Sequence, residues 1–306
     1  MTTPSPPGAI TAQNALRARL AALPRPALWL IAARLKTVSL SLAPVLAGSW
    51  LAARAGSWRA DVTLAAMLSA AAIQIGTNLW NDAADAARGV DAPDRLGPPR
   101  LTALGLLDGA QVRRGAVLAF ALATLAGLYL TLLGGWPIVA VGLASLALGY
   151  LYSMGPAPMS GLPFGELLVV GFFGLVAVST TGWLQGVAPL APETLRLGLV
   201  IGLPAAAVLL LNNHRDRVQD TRAGRRTLAI VLGPRGARGL YFALLLAALG
   251  LALPGGAGPW LLPAAGLALW LGHRVWHWPV SARLNRLLGQ TALFQLALLA
   301  GLVLGS

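Results

Sequence analysis

The chain has 306 residues, 57% of them hydrophobic and 11% charged, and its 23 Lys and Arg against 10 Asp and Glu give a formal net charge of +13. So much apolar surface excludes a water-soluble globule and points to a bilayer as the solvent. The absence of cysteine excludes disulfides, thiolate zinc sites and redox thiols.

Residues 1–27 lack the apolar core of a signal peptide. They read as a cytoplasmic tail ending in a short surface helix, and 28–306 as a single polytopic domain. Apolar stretches long enough to cross about 30 Å of hydrocarbon fall at 28–53, 62–82, 114–134, 136–153, 162–187, 195–213, 239–255, 258–272 and 287–304. The expectation is therefore an all-α integral membrane protein of nine transmembrane helices, the eighth short and interrupted by Gly and Pro. With the tail in the cytoplasm, the tail plus the start of the first helix and the loops at 88–114, 215–238 and 274–286 hold 20 of the 23 Lys and Arg. That is the positive-inside pattern. The positive charge is largely a topology signal and calls for no nucleic acid.

The second span ends in "TNLWNDAADAARGVD". Asn78, Asp82 and Asp85 are spaced i, i+4, i+7 and fall within about 60° of one helix face, with Asn81 beside them. Asp91 and Asp94 follow among Arg88, Arg95 and Arg100. Glu166, in "PFGELL", is the one acid expected inside the spanning part, either as a ligand-orienting group or at a capped helix start. Gln74 and Gln185 read as interhelical hydrogen-bonders.

The sixth span ends in "LLLNNHRDRVQDTRAGRRTLAIVLG", where Asn212, Asp216 and Asp220 again climb one face. His273 and His277, four apart beside Trp276 and Trp278, read as an interfacial anchor rather than a metal pair. Six of the ten acids lie in the two Asp-rich stretches. Each alone could be a helix end dipping into water. Two on the same side, at helix C-termini where carboxylates oppose the dipole, call for a compensating cation.

Magnesium takes oxygen ligands and is commonly shared between carboxylates and substrate phosphates, while arginines supply paired donors to phosphate oxygens. Carboxylates and arginines interleaved at the mouth of a membrane bundle therefore describe a site for a lipid diphosphate, its tail lying between helices.

These stretches, with "ARLKTVSLSLAPVLAGSWLA" and "YSMGPAPMSGLPFGELLVVGFFGLVAVSTTGWLQ", resemble the UbiA superfamily of intramembrane aromatic prenyltransferases, nine-helix bundles with two Asp-rich motifs at the cytoplasmic side. The likeness is closest to the branch that prenylates 1,4-dihydroxy-2-naphthoate in menaquinone synthesis. It implies an enzyme of the bacterial cytoplasmic (inner) membrane that joins a polyprenyl chain, taken from polyprenyl diphosphate, to a hydroxylated aromatic acid with release of diphosphate and CO₂.

The resemblance implies metal ligands at Asn81, Asp82, Asp85, Asp91, Asp216 and Asp220, holding two Mg²⁺ ions that bridge to the diphosphate. Asp91 comes six residues after Asp85, where many superfamily members space them by four. Leu35 stands in "RLKT" where proline is commoner. Arg88, Arg100, Arg215, Arg225 and Arg226 would hold the diphosphate, with Asn78 and Asn212 on the substrate side. Asp85 and Asp216 would be catalytic, and Tyr152 would steady the allylic cation. Lys36 or Arg34 would take the acceptor's carboxylate or the diphosphate. Another acceptor, such as 4-hydroxybenzoate, and an ion-coupled transporter are the alternatives. A transporter would carry its ionisable groups near the midplane, whereas here they gather at one surface.

Overall fold

A computed structural model describes residues 7–87, 95–153, 159–255 and 258–306. The described residues form helices and connecting turns, in the order α1 (Pro7–Ala21), α2 (Arg25–Ala33), α3 (Leu35–Arg54), α4 (Ala60–Ala87), α5 (Gly109–Gly134), α6 (Trp136–Ser153), α7 (Gly165–Val169), a π-helix (Val170–Val176), α8 (Ala177–Trp183), α9 (Pro192–Arg222), α10 (Leu228–Ala252), α11 (Leu262–His277) and α12 (Leu284–Leu304).

Local chemistry sets several boundaries. Asp108 caps α5, its carboxylate accepting the Gln111 amide at 2.9 Å. Proline and Glu193 occupy the first turn of α9, where a missing N–H is harmless and an acid favours the dipole. Gly233, at φ 67°, breaks α10 one turn after its start, a conformation open to glycine.

Among the described residues six segments are long and apolar enough to cross a membrane: α4, α5, Gly165–Trp183, α9, α10 and α12. A seventh arises if α2 and α3, bent by 58°, count as one broken span. The stretch expected at 136–153 is α6, whose residues 136–151 form a shorter apolar helix, and the eighth, expected to be short, is a 3₁₀ turn followed by the 16-residue α11. The expected nine crossings are therefore not reached on length and apolarity alone. The stretch expected as one continuous helix at 162–187 is interrupted by the π-helix.

Helices α4 and α9 are the long ones, at 28 and 31 residues. At 1.5 Å per residue they extend about 42 and 46 Å, well beyond the hydrocarbon thickness. Their Asp-bearing ends project past it for that reason.

Packing between helices relies on small residues, since lipid offers apolar side chains as good an environment as a neighbour does. The π-helix meets α9 through Gly174, Gly198 and Gly202. A Cβ on Gly174 would stand 2.4 Å from the Gly198 carbonyl oxygen. The main apolar cluster joins α3, α9, α10, α11 and α12. A second joins α2, α4 and the start of α5 to Leu101, Leu104 and Leu107. The connection after α4 is thus folded onto an apolar seat. Large side chains such as Leu118, Leu132 and Leu167 face outward, as lipid contact requires.

At the end of the bundle away from the Asp-rich ends, Ser49 and Thr63 hydroxyls bond at 2.9 Å. Gln185 donates to Ser49 at 3.2 Å and accepts the Arg59 amide at 2.9 Å.

Candidate functional site

The break between α2 and α3 starts the site. Arg34 there has φ 52° and ψ 54° and, among the described residues, is the one non-glycine with positive φ. For an L-residue this costs about 1 kcal/mol or more. The surroundings hold it in place: the Arg34 carbonyl accepts both the Thr37 amide at 2.8 Å and the Thr37 hydroxyl at 2.9 Å. From α4, Asn78 donates to the Ala33 carbonyl at 2.9 Å and to Thr37 Oγ1 at 3.0 Å, and accepts from Gln74. Asn78 therefore fixes the kink. Arg34 Nη2 is buried with no hydrogen-bond partner among the described residues.

One turn along α4, buried Asp82 accepts the amides of Leu101 at 3.2 Å and Thr102 at 3.4 Å. Asp85, buried as well, forms an ion pair with buried Arg100. Asn81 is half-buried beside them. The predicted face is real, and the segment 95–104 closes over it.

That segment also reaches the second Asp-rich helix end. Leu96 presents its carbonyl to Asn285 Nδ2 at 2.8 Å, and a Cβ on Gly97 would stand 3.0 Å from Arg215 Nη2. Arg215, 1% exposed, donates to Asp216 through Nε at 2.7 Å and through Nη2 at 2.5 Å, to Asn212 at 2.8 Å and to Asn285 Oδ1. Asp220 is buried and paired with Arg225 at 3.0 Å. Exposed Arg226 donates its amide to the Gly161 carbonyl at 2.7 Å.

The structure thus joins the ends of α2, α4, α9 and α12 into one polar layer. Asp85, Asp216 and Asp220 each hold a guanidinium, and Asp82 holds two backbone amides. Arg215 is sealed beneath Asp216 with its donors engaged, an arrangement that orients the carboxylate. Among the described residues no three His, Asp or Glu side chains close into a preformed metal cage. A site completed by ligand oxygens needs only one or two carboxylates.

Arg88 and Asp91 lie outside the described residues. The backbone places Lys36 in the first turn of α3 and Tyr152 in the last turn of α6, and their side chains also lie outside what the structure describes. Glu166 is buried on α7 and accepts from Asn213 of α9 at 3.0 Å, so its bond is to the face of α9 beside the Asp-rich one.

Two contributors escaped the sequence reading. Asn285 stands in no motif, and its only signal was an amide in the first turn of an apolar helix. Thr37 lies inside the quoted "RLKT", but its part in the kink depends on Asn78, 41 residues away.

Residues 41–299 match the family model described as the UbiA prenyltransferase family. The chain is 34% identical over 247 residues to the 1,4-dihydroxy-2-naphthoate octaprenyltransferase of Bacillus subtilis (strain 168), covering 76% of each protein. It is 40% identical over 224 residues to the protein of the same name from Mycobacterium tuberculosis, covering 72% of this chain and 75% of the relative. In fold it is similar to the apo structure of a UbiA homologue from Aeropyrum pernix K1, with a TM-score of 0.65 at 16% identity over 89% of this chain and 98% of the other. It is also similar to a UbiA homologue from Archaeoglobus fulgidus bound to GPP and Mg²⁺, with a TM-score of 0.55 at 15% identity over 90% of this chain and 99% of the other.

Proposed function

This chain belongs to the UbiA prenyltransferase family, and from that premise we propose that its polar layer transfers a polyprenyl group from polyprenyl diphosphate to 1,4-dihydroxy-2-naphthoate. The observation that carries the reading is the joining of the Asp-rich ends of α4 and α9 through the 95–104 segment, with arginine on both sides. The acceptor follows from the names of the relatives, which share it across distant bacteria.

The donor set suits a hard divalent cation: Asn and Asp oxygens gather where α4 and α9 end, and arginines now neutralise three of the carboxylates. Asn81, Asp82, Asp85, Asp91, Asp216 and Asp220 are the residues that would hold two magnesium ions against the diphosphate. Magnesium, when bound, supplies positive charge to the departing diphosphate.

The chain's own groups do the rest. Arg34, Arg88, Arg100, Arg225 and Arg226 hold diphosphate oxygens as the allylic C–O bond breaks and its electron pair leaves on oxygen. Arg215 keeps Asp216 in position. Tyr152 steadies the allylic cation by its ring or hydroxyl, and Lys36 takes the acceptor's carboxylate. The ring carbon bearing that carboxylate forms the new C–C bond, and loss of CO₂ returns the bonding pair to the ring. The closed layer keeps water from the cation, which it would otherwise hydrolyse.

In this reading residues 28–306 form one catalytic domain that crosses a bacterial cytoplasmic membrane nine times, α2 with α3 counting once and α6 and α11 as short crossings. The tail 1–27 and the polar layer face the cytoplasm, where most of the Lys and Arg lie.

The test is prenyl transfer by the purified chain in nanodiscs with Mg²⁺, geranylgeranyl or longer diphosphate, and 1,4-dihydroxy-2-naphthoate competing with 4-hydroxybenzoate. Prenylated naphthoquinol is expected, lost with EDTA and reduced about 1,000-fold or more in Asp85→Asn and Asp216→Asn. Product from hydroxybenzoate alone would overturn the acceptor. No product from either, with folded protein, would overturn the reaction.

A further inference from the structure

Glu166 opens the span Gly165–Trp183 and is 5% exposed, and prenyl transfer as described above gives it no task. It does not cap its helix. Phe164 holds the N-cap position of α7, with no side-chain bond there. The Glu166 carboxylate turns to α9 instead, where one oxygen, Oε1, accepts from Nδ2 of buried Asn213 at 3.0 Å. The other, Oε2, is buried with no hydrogen-bond partner among the described residues. A buried carboxyl oxygen left open is costly, so a group with one oxygen held and one open is set to receive a donor.

Asn213 fixes where the open oxygen lies. At 100° per residue it stands about 20° around α9 from Asp220 and about 60° from Asp216, so one side of the helix carries all three. Along the axis it lies three residues, about 4.5 Å, inward of Asp216. The turn leading into α7 keeps to the same side: the Gly161 carbonyl accepts the Arg226 amide at 2.7 Å, and a Cβ on Gly161 would stand 3.4 Å from Arg225 Cγ. Helix α7 therefore enters beneath the second Asp-rich end.

A prenyl diphosphate held at that end points its chain into the bundle, and the carbon that reacts is one P–O–C link inward of the phosphates. The acceptor must meet it there, at the level of Glu166. Of the elements packed on α7, the π-helix carries no charged or titratable group, and neither do residues 159–164 before the helix. Helix α9 brings Arg217 one turn outward of Asn213, Asp216 and Asp220 already paired with arginines, and His214 on another face.

We propose that Glu166 is a further catalytic residue, the base that takes a proton from the acceptor; this rests on the prenyl-transfer reading above. Oε2 receives the proton of the hydroxyl on the ring carbon next to the one attacked. The pair left on that oxygen closes a C=O bond, a ring π pair forms the C–C bond to the allylic carbon, and the allylic C–O pair leaves with diphosphate. When CO₂ departs, its bonding pair returns to the ring, the C=O oxygen regains its negative charge and takes the proton back from Glu166. The residue ends each cycle as it began, and no outside proton or electron is needed.

The test is Glu166→Gln in the full chain in nanodiscs, which keeps an acceptor for Asn213 and removes the base. Assayed anaerobically with Mg²⁺ and geranylgeranyl diphosphate, it is expected to lose about 100-fold in kcat near pH 7, with KM for the diphosphate and the melting temperature unchanged. Between about pH 7 and 9 the variant should recover about tenfold per pH unit, as ionisation of the acceptor in solution replaces the base, a slope that wild type does not share. A kcat within threefold of wild type, or a loss without that slope, would overturn the base. If the glutamine variant does not fold, Glu166→Asp decides: the drawn-back carboxylate should lower kcat and leave KM for the diphosphate, and an unchanged kcat would overturn the proposal. The comparison is made on whichever of 1,4-dihydroxy-2-naphthoate and 4-hydroxybenzoate wild type prenylates. A wrong acceptor then shows in wild type and a wrong base in the variant, while wild type active on neither overturns both.

Discussion

Asn285→Ala removes the side chain that, among the described residues, ties α12 to both halves of the polar layer. Its carbonyl oxygen accepts from Arg215 and its amide donates to Leu96. A hydrogen bond to a charged group is worth about 1.5–3 kcal/mol and a neutral one about 0.5–1.5 kcal/mol. Arg215 is 1% exposed, so water does not readily replace the lost acceptor, and the 95–104 segment loses one of its ties to the second Asp-rich end. If about 2.7 kcal/mol of this held the layer in its reactive geometry, kcat/KM for the prenyl diphosphate falls about 100-fold. Asn285→Asp keeps an acceptor for Arg215 and loses only the donor to Leu96, so its loss is nearer tenfold. The assay is initial-rate prenyl transfer across both substrates, with circular dichroism as the check on folding. Folded Asn285→Ala within threefold of wild type would refute the reasoning, and so would Asn285→Asp as damaged as Asn285→Ala.

Gly174→Leu forces a side chain into the 2.4 Å gap to the Gly198 carbonyl and should cost about 3 kcal/mol, seen as a lower melting temperature in detergent; an unchanged melt would show that the two elements have room to part. Arg34→Gly relieves the positive φ, so stability should hold or rise by about 1 kcal/mol while prenyl transfer drops at least about tenfold. Retained turnover would remove Arg34 from the site, and a lower melt would show that its side chain braces the kink.

Much of the site was legible because it obeys helix periodicity. Asn78, Asp82 and Asp85 share a face that any helix through them must create, and Asn212 and Asp216 do the same on α9. The covering segment was not. "DRLGPPRLTALGLL" reads as a polar connection from its Pro, Gly and Arg, yet Leu101, Leu104 and Leu107 bury against α2, α4 and α5, and their three-residue spacing was the sign of it. Asn285 meets Leu96 across 189 residues, a pairing that no local pattern encodes. Arg215 read as an anion clamp because it stands beside Asp216. Whether such a residue faces a ligand or lies under the carboxylate depends on α12, which sequence spacing cannot orient. The span count was read from apolar length, which showed the eighth segment short but says nothing of the π-helix or the Gly233 break.

The π-helix at Val170–Val176 separates two polar attachments, Glu166 to Asn213 on one side and Gln185 to Ser49 on the other. Its wider turns take up extra backbone without lengthening the span in proportion, and each residue of an α-helix turns the chain by about 100°. The segment works as a vernier: it sets the angular phase of one half of the helix against the other. Deleting a single residue within it would restore regular winding and swing one attachment away from its partner, while a substitution at the same place would leave both aligned. Away from Gly174, tolerance to substitution alongside intolerance to deletion is the genetic signature this stretch should carry.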